Sequence, residues 1–107
     1  MILPSPLRGL PASTVARSGT AAASERLRAA GVEPISWSNG PDDRYPAHEH
    51  PFTKLIVCAE GSITFLVGDE ATPVDLGPGE GFELPPGTRH AAVVGPGGCT
   101  CVEGHRR

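Results

Sequence analysis

From Val32 to Glu103 the chain reads as short apolar runs of strand length broken by clusters of polar and turn-forming residues. Eight runs predict strands: Pro34 to Ser38, Tyr45 to His50, Thr53 to Ala59, Ser62 to Val67, Thr72 to Leu76, Gly81 to Leu84, His90 to Val94 and Cys99 to Glu103. The separators are turn material, including Asn39-Gly-Pro-Asp-Asp43, Glu60-Gly61, Gly77-Pro-Gly-Glu-Gly81, Pro85-Pro-Gly87 and Gly95-Pro-Gly-Gly98. Short strands punctuated in this way predict an all-β sandwich or barrel. No internal repeat is evident.

Ahead of the strands, Ser24-Glu-Arg-Leu-Arg-Ala-Ala-Gly31 offers a capping residue, good helix formers and a closing glycine. It predicts a short N-terminal helix of about two turns, lying on the outside of the β-structure. Residues 1–22 are rich in Pro, Ala, Ser, Thr and Gly and are expected to form a loose tail, leaving 23–107 as the folded domain. Arg8 and Arg17, with no acid before Glu25, also suit an organelle transit peptide. However, Pro4, Pro6 and Pro11 break the amphipathic helix such a peptide needs.

At 107 residues the length suits one domain. The chain has 14 glycines and 12 prolines, and those between Val32 and Glu103 fall at the ends of apolar runs rather than in one block, which favours turns between strands. A net charge of −3 and a pI near 5.7 give no general attraction to phosphate backbones, so nucleic acid is not an expected partner. There is no run of 18 apolar residues and no secretory signal pattern, so neither membrane insertion nor export is expected, and the cytoplasm is the expected location. Cys58, Cys99 and Cys101 are an odd set, and the last two share one strand face in poor geometry for pairing; all three are expected to be reduced.

The chemistry concentrates in His48 and His50 of Pro46-Ala-His-Glu-His-Pro51, and in His90 behind the Pro85-Pro-Gly87 turn. On a strand, residues i and i+2 project from one face, so both rings of a His-x-His pair can address one point. A third imidazole from another strand would complete a neutral nitrogen face suited to zinc, iron, nickel, manganese or copper. The plainer reading is three hydrogen-bonded histidines lining a metal-free polar cavity.

These residues carry a resemblance. The chain resembles the cupin superfamily, whose first motif is His-x-His, three or four residues, Glu, six residues, Gly; here it is His48-Glu49-His50, three residues, Lys54, six residues, Gly61. The second motif is Gly, five residues, Pro-x-Gly, two residues, His, three residues, Asn; here it runs from Gly79 through Pro85-Pro-Gly87 and His90 to Val94. The resemblance extends over about residues 32–104 and implies a single jelly-roll-like barrel with a divalent metal, Zn, Fe, Ni or Mn, on His48, His50 and His90. The sequence departs from the pattern at Lys54, where the family has a carboxylate ligand, at Val94 in place of the closing Asn, and at Gly40, two residues early.

Lys54 is the departure with consequences. An ammonium about 5 Å from a divalent ion would be repelled by roughly 6–7 kcal/mol at an effective dielectric of about 20. Deprotonating it at neutral pH would cost roughly 4.6 kcal/mol from a reference pKa of about 10.4. The cheaper arrangement is an ion pair with an inward acid, for which Glu83 and Glu103 are the candidates. A three-histidine site needs no carboxylate, whereas a two-histidine-one-carboxylate iron site does. Lys54 is also a candidate ligand-binding cation or catalytic amine.

Other polar and aromatic residues have plainer expectations. Tyr45 is expected near the pocket mouth in a packing role, and Cys58 and Cys101 as small interior hydrophobes. Trp37, Phe52, Phe65 and Phe82 are expected in the core or a subunit contact, and Arg89 as a solvated turn residue. Three functions fit: a small metal-dependent enzyme, with dioxygenase, isomerase or decarboxylase chemistry implied by the resemblance; a non-catalytic module binding a small molecule through Lys54; or a dimerising scaffold. A homodimer is the expected assembly, because pairing would cover an exposed strand or sheet face.

Overall fold

The computed structural model describes residues 19–106, so most of the expected tail lies outside the described residues. One helix, α1 (Thr20–Ala29), precedes six strands: β1 (Ile35–Asn39), β2 (Arg44–His48), β3 (Thr53–Val67), β4 (Thr72–Leu76), β5 (Gly81–Leu84) and β6 (His90–Arg106). The helix starts four residues before Ser24, behind Gly19 and without a side-chain cap. Its start is set by packing and by the helix propensity of Ala21 to Ala23, and Ala23 is buried against the sheet. Gly31, at φ +85°, closes the helix as expected, with the Val32 N–H donating to Leu27 O at 3.2 Å.

All strand pairings are antiparallel, and two long strands organise them. The first half of β3, from Thr53 to Cys58, lies between β5 and the second half of β6; its second half, from Ile63 to Val67, lies between β4 and the first half of β6. β1 extends the first layer beside Cys99 to Glu103, and β2 extends the second beside His90 to Val93. A single bent sheet thus supplies two facing layers of four strand segments. Its hydrogen-bonded path, β1-β6-β3-β4 with β2 and β5 as branches, does not close on itself.

Glu60-Gly61 and Gly95 to Gly98, expected as turns ending strands, are instead the corners where β3 and β6 cross together from one layer to the other. The eight expected runs persist as eight segments of six strands. Close backbone approach explains the glycines: a Cβ on Gly61, at φ +73°, would lie 2.0 Å from Gly98 O.

Side-chain alternation divides the interior into two cores. Ile56, Cys58, Ile63, Phe65, Val67, Phe82, Leu84, Ala92, Val94, Cys99 and Cys101 fill the space between the layers. On the outer face of the first layer, Leu55, Val57, Ala59 and Val102 meet Ala23 and Leu27 of the helix. Complete burial of Leu27 contributes about 1.5–3 kcal/mol to docking of the helix. All three cysteines are free and buried, Cys99 as well as Cys58 and Cys101, for which an interior position is expected. At the end of the layers remote from the glycine corner, the first residues of β3 and β6 and the last of β6 surround an open mouth.

Candidate metal centre and ligand pocket

The mouth leads into a cavity of about 260 Å³. His48 and His90 reach it as direct cross-strand neighbours of β2 and β6, with ring centroids 4.4 Å apart. His50 does not share a strand with His48 as expected, because β2 ends at His48. A register shift after Tyr45 and the Pro51 bend end the pairing, yet they deliver the His50 ring to within 4.8 Å of His48 and 5.4 Å of His90. One ligand atom from each of the three rings lies within 4.8 Å of the other two.

Hydrogen bonding fixes which nitrogens can act as donors to a metal. His48 Nδ1 lies 2.8 Å from Pro46 O and His90 Nδ1 lies 2.9 Å from Thr88 O. A carbonyl only accepts, so Nδ1 carries a proton in each ring, and in the neutral imidazole Nε2 is then the nitrogen with the free lone pair. Nε2 of His50 and Nε2 of His90 are buried with no hydrogen-bond partner among the described residues. Leaving such atoms unpaired costs about 1–3 kcal/mol each, a cost that ligation would offset.

Burial, the Lys54 ammonium and His48 hold the His50 imidazole below its ordinary pKa. Burial also lowers His90, although its bond to Thr88 O opposes this, with His48 and Lys54 adding to the lowering. Neutral imidazole is the form that ligates a metal. The donor set therefore fits a divalent ion.

Lys54 is paired as expected, and strand register selects its partner. Ile56, opposite Glu103, faces the inner core, so Glu103 does too; Leu55, opposite Glu83, faces the helix side, so Glu83 points away. Lys54 Nζ lies 3.2 Å from Glu103 Oε1, and Glu83 pairs with Arg106 at 3.6 Å. Trp37 Nε1 donates to the same Glu103 oxygen at 2.6 Å, and His105 Nε2 meets Oε2 at 2.7 Å. Burial raises the Glu103 pKa, but Lys54 and the bonds from His105 and Trp37 outweigh it and hold the group below the usual carboxylate value.

Sequence reading missed Trp37 and His105 as partners of this carboxylate. The available signal was that Glu103 shares the inward alternation of Cys99 and Cys101 and therefore needs buried donors. Phe52 is stacked between His50, at 4.8 Å, and His105, at 4.0 Å, so it packs at the mouth rather than in the core. Tyr45 lines the pocket, donates its hydroxyl to Asn39 Oδ1 and meets Trp37 edge to face at 5.7 Å. Phe65, Ile63 and Ala92 complete an apolar wall. Arg89 is exposed, as expected of a turn residue.

The sequence profile of the AraC-like ligand-binding domain matches residues 30–102, from before β1 into the last part of β6. The chain belongs to this family. Its fold is that of the cupins. An RmlC-like cupin from Shewanella frigidimarina superposes with a TM-score of 0.61 at 20% identity, over 69% of this chain and 64% of that one. The polyketide cyclase RemF from Streptomyces resistomycificus gives 0.62 at 28% identity, over 68% of this chain and 52% of that one. Oxalate decarboxylase from Bacillus subtilis, described with Mn(II) centres, gives 0.62 at 20% identity, over 67% of this chain. This cupin spans only 20% of that enzyme's length and about half of the cyclase's. Curated proteins provide no sequence match.

Proposed function

We propose that this cupin holds one divalent metal ion on His48, His50 and His90 and carries out a metal-dependent reaction on a small molecule, of the isomerase or dioxygenase type. The observation that carries the reading is the pair of buried, partnerless Nε2 atoms on His50 and His90, residues that line one cavity together with His48. The Mn(II) centres of oxalate decarboxylase lend support to a metal on this fold, and RemF lends support to small-molecule chemistry. Zinc, iron, nickel and manganese all accept imidazole nitrogen. A bound ion would polarise a substrate oxygen.

The chain's own residues supply the remainder. Trp37, Phe65 and Ile63 exclude water and hold an apolar substrate body. Glu103 anchors Lys54 at the wall, so the ammonium's charge is offset in the unliganded pocket and opposes metal uptake less than an isolated cation would. Purified protein never exposed to chelator or a nickel column is expected to contain, or take up, one ion per chain by elemental analysis, and His90→Ala is expected to lose it. Wild type that neither retains nor takes up metal would refute the reading.

A second reading is favoured by the cation at position 54: a non-catalytic, metal-free binding module. Ligand-induced thermal stabilisation that persists in chelator would single it out. A homodimer in the cytoplasm belongs to the first proposal, and a strictly monomeric species in sedimentation across concentrations would remove the dimer. Among the described residues no helix is long and apolar enough to cross a membrane.

A further inference from the structure

We infer that this pocket selects small carboxylates with an apolar body, and that Lys54 is the residue that selects them. The inference rests on the pocket reading above and names its ligand class.

Charge is the first support. The charges of Lys54 and Glu103 cancel, with 3.2 Å between Nζ and Oε1. An ion on the three rings would therefore stand in a largely apolar cavity with no anionic ligand from the protein. The first cupin motif places a carboxylate at position 54, and this chain places a cation there, a change of two charge units at the same point. A buried double charge needs compensation, and an anionic ligand is the remaining source.

Geometry is the second. Both Glu103 oxygens are engaged, Oε1 by Lys54 and Trp37 and Oε2 by His105. That carboxylate is fixed at the wall as a holder. Of the three N–H groups on Lys54, Glu103 accounts for one. Lys54 lines the same cavity as His48, His50 and His90, so the ammonium and the candidate ligand rings border one space. A carboxylate there could accept from Lys54 while its other oxygen faces the three-histidine centre.

The wall is the third. The polar tips of its aromatic residues are already used, Trp37 on Glu103 and Tyr45 on Asn39, so a neutral polyol would find few free partners. Trp37, Tyr45, Ile63, Phe65 and Ala92 instead present apolar surface. A cavity of about 260 Å³ is roughly nine water volumes at about 30 Å³ each, room for about ten non-hydrogen atoms. Benzoate has that size and charge, and benzamide is its neutral counterpart.

Calorimetric titration of both probes into zinc-loaded and chelator-treated full-length protein tests this. Benzoate is expected to bind at least about tenfold more tightly than benzamide to wild type. Lys54→Met should reduce the ratio below about threefold, and Lys54→Arg should retain it. Equal affinity for the two probes, no binding of either, or an unchanged ratio in Lys54→Met would overturn the inference. Should Lys54→Met fail to fold, the wild-type ratio and its retention in Lys54→Arg decide. Failure to take up zinc would refute the metal reading alone; the ratio in metal-free protein, where Lys54 remains, then decides the carboxylate inference.

Discussion

Glu103→Gln is the substitution on which the architecture of the pocket makes its clearest demand. The Lys54 and Glu103 side chains are 12% and 14% exposed, with 3.2 Å between Nζ and Oε1. At an effective dielectric of about 20, that separation corresponds to about 5 kcal/mol of gross attraction. Desolvation of both groups consumes part of it, whereas removing one partner of a buried pair leaves the other charge unpaired and costs about 3–5 kcal/mol. Glutamine still accepts from Trp37, so a loss of about 2–4 kcal/mol is expected. For a domain of this size that corresponds to roughly 10–25 °C in Tm.

The assay is urea unfolding followed by Trp37 fluorescence, because Trp37 is the only tryptophan and donates directly to the altered group. Lys54→Met and the double variant complete a cycle, in which a coupling of about 1.5–3 kcal/mol is expected between the two positions. The pH dependence follows from the lowered Glu103 pKa. The stabilisation it provides is present above the ordinary carboxylate value and is lost as pH falls through the lower folded value. Glu103→Gln lacks that acid loss, so its deficit relative to wild type should narrow below about pH 4. A cost under about 0.5 kcal/mol at pH 7, or strictly additive single effects, would refute the buried-pair account.

Gly61→Ala should destabilise the fold by at least about 3 kcal/mol, because its Cβ would meet Gly98 O at 2.0 Å on a backbone at φ +73°; thermal unfolding checks this, and a loss under about 1 kcal/mol contradicts it. His50 and His90 have lowered folded pKa values, so metal-free protein should be most stable above about 6.5 and weaken as pH falls below it; a flat denaturation midpoint between pH 7 and 5 would contradict that. Lys54→Glu should lower metal-free stability by setting a second carboxylate beside Glu103, and should tighten zinc binding by turning repulsion into ligation. Calorimetry showing equal or weaker zinc affinity would refute the geometry.

Local chemistry determined much of what could be read in the chain by itself. Apolar runs and turn residues located all eight strand segments, since proline fixes φ and glycine alone readily takes the positive φ that turns and corners require. The His-x-His and Pro-x-Gly spacings identified the three histidines and the fold. Tertiary pairing decided the rest. Gly61 and Gly95 to Gly98 carry the same local signal whether they end a strand or bend it, and only the joint path of β3 and β6 makes them a corner. The position of His50 beyond the end of β2 depends on a register shift that composition does not encode. The choice of Glu103 over Glu83 as the lysine's partner also belongs to register, because cross-strand pairing sets which residues share a face, and that pairing joins segments almost fifty residues apart.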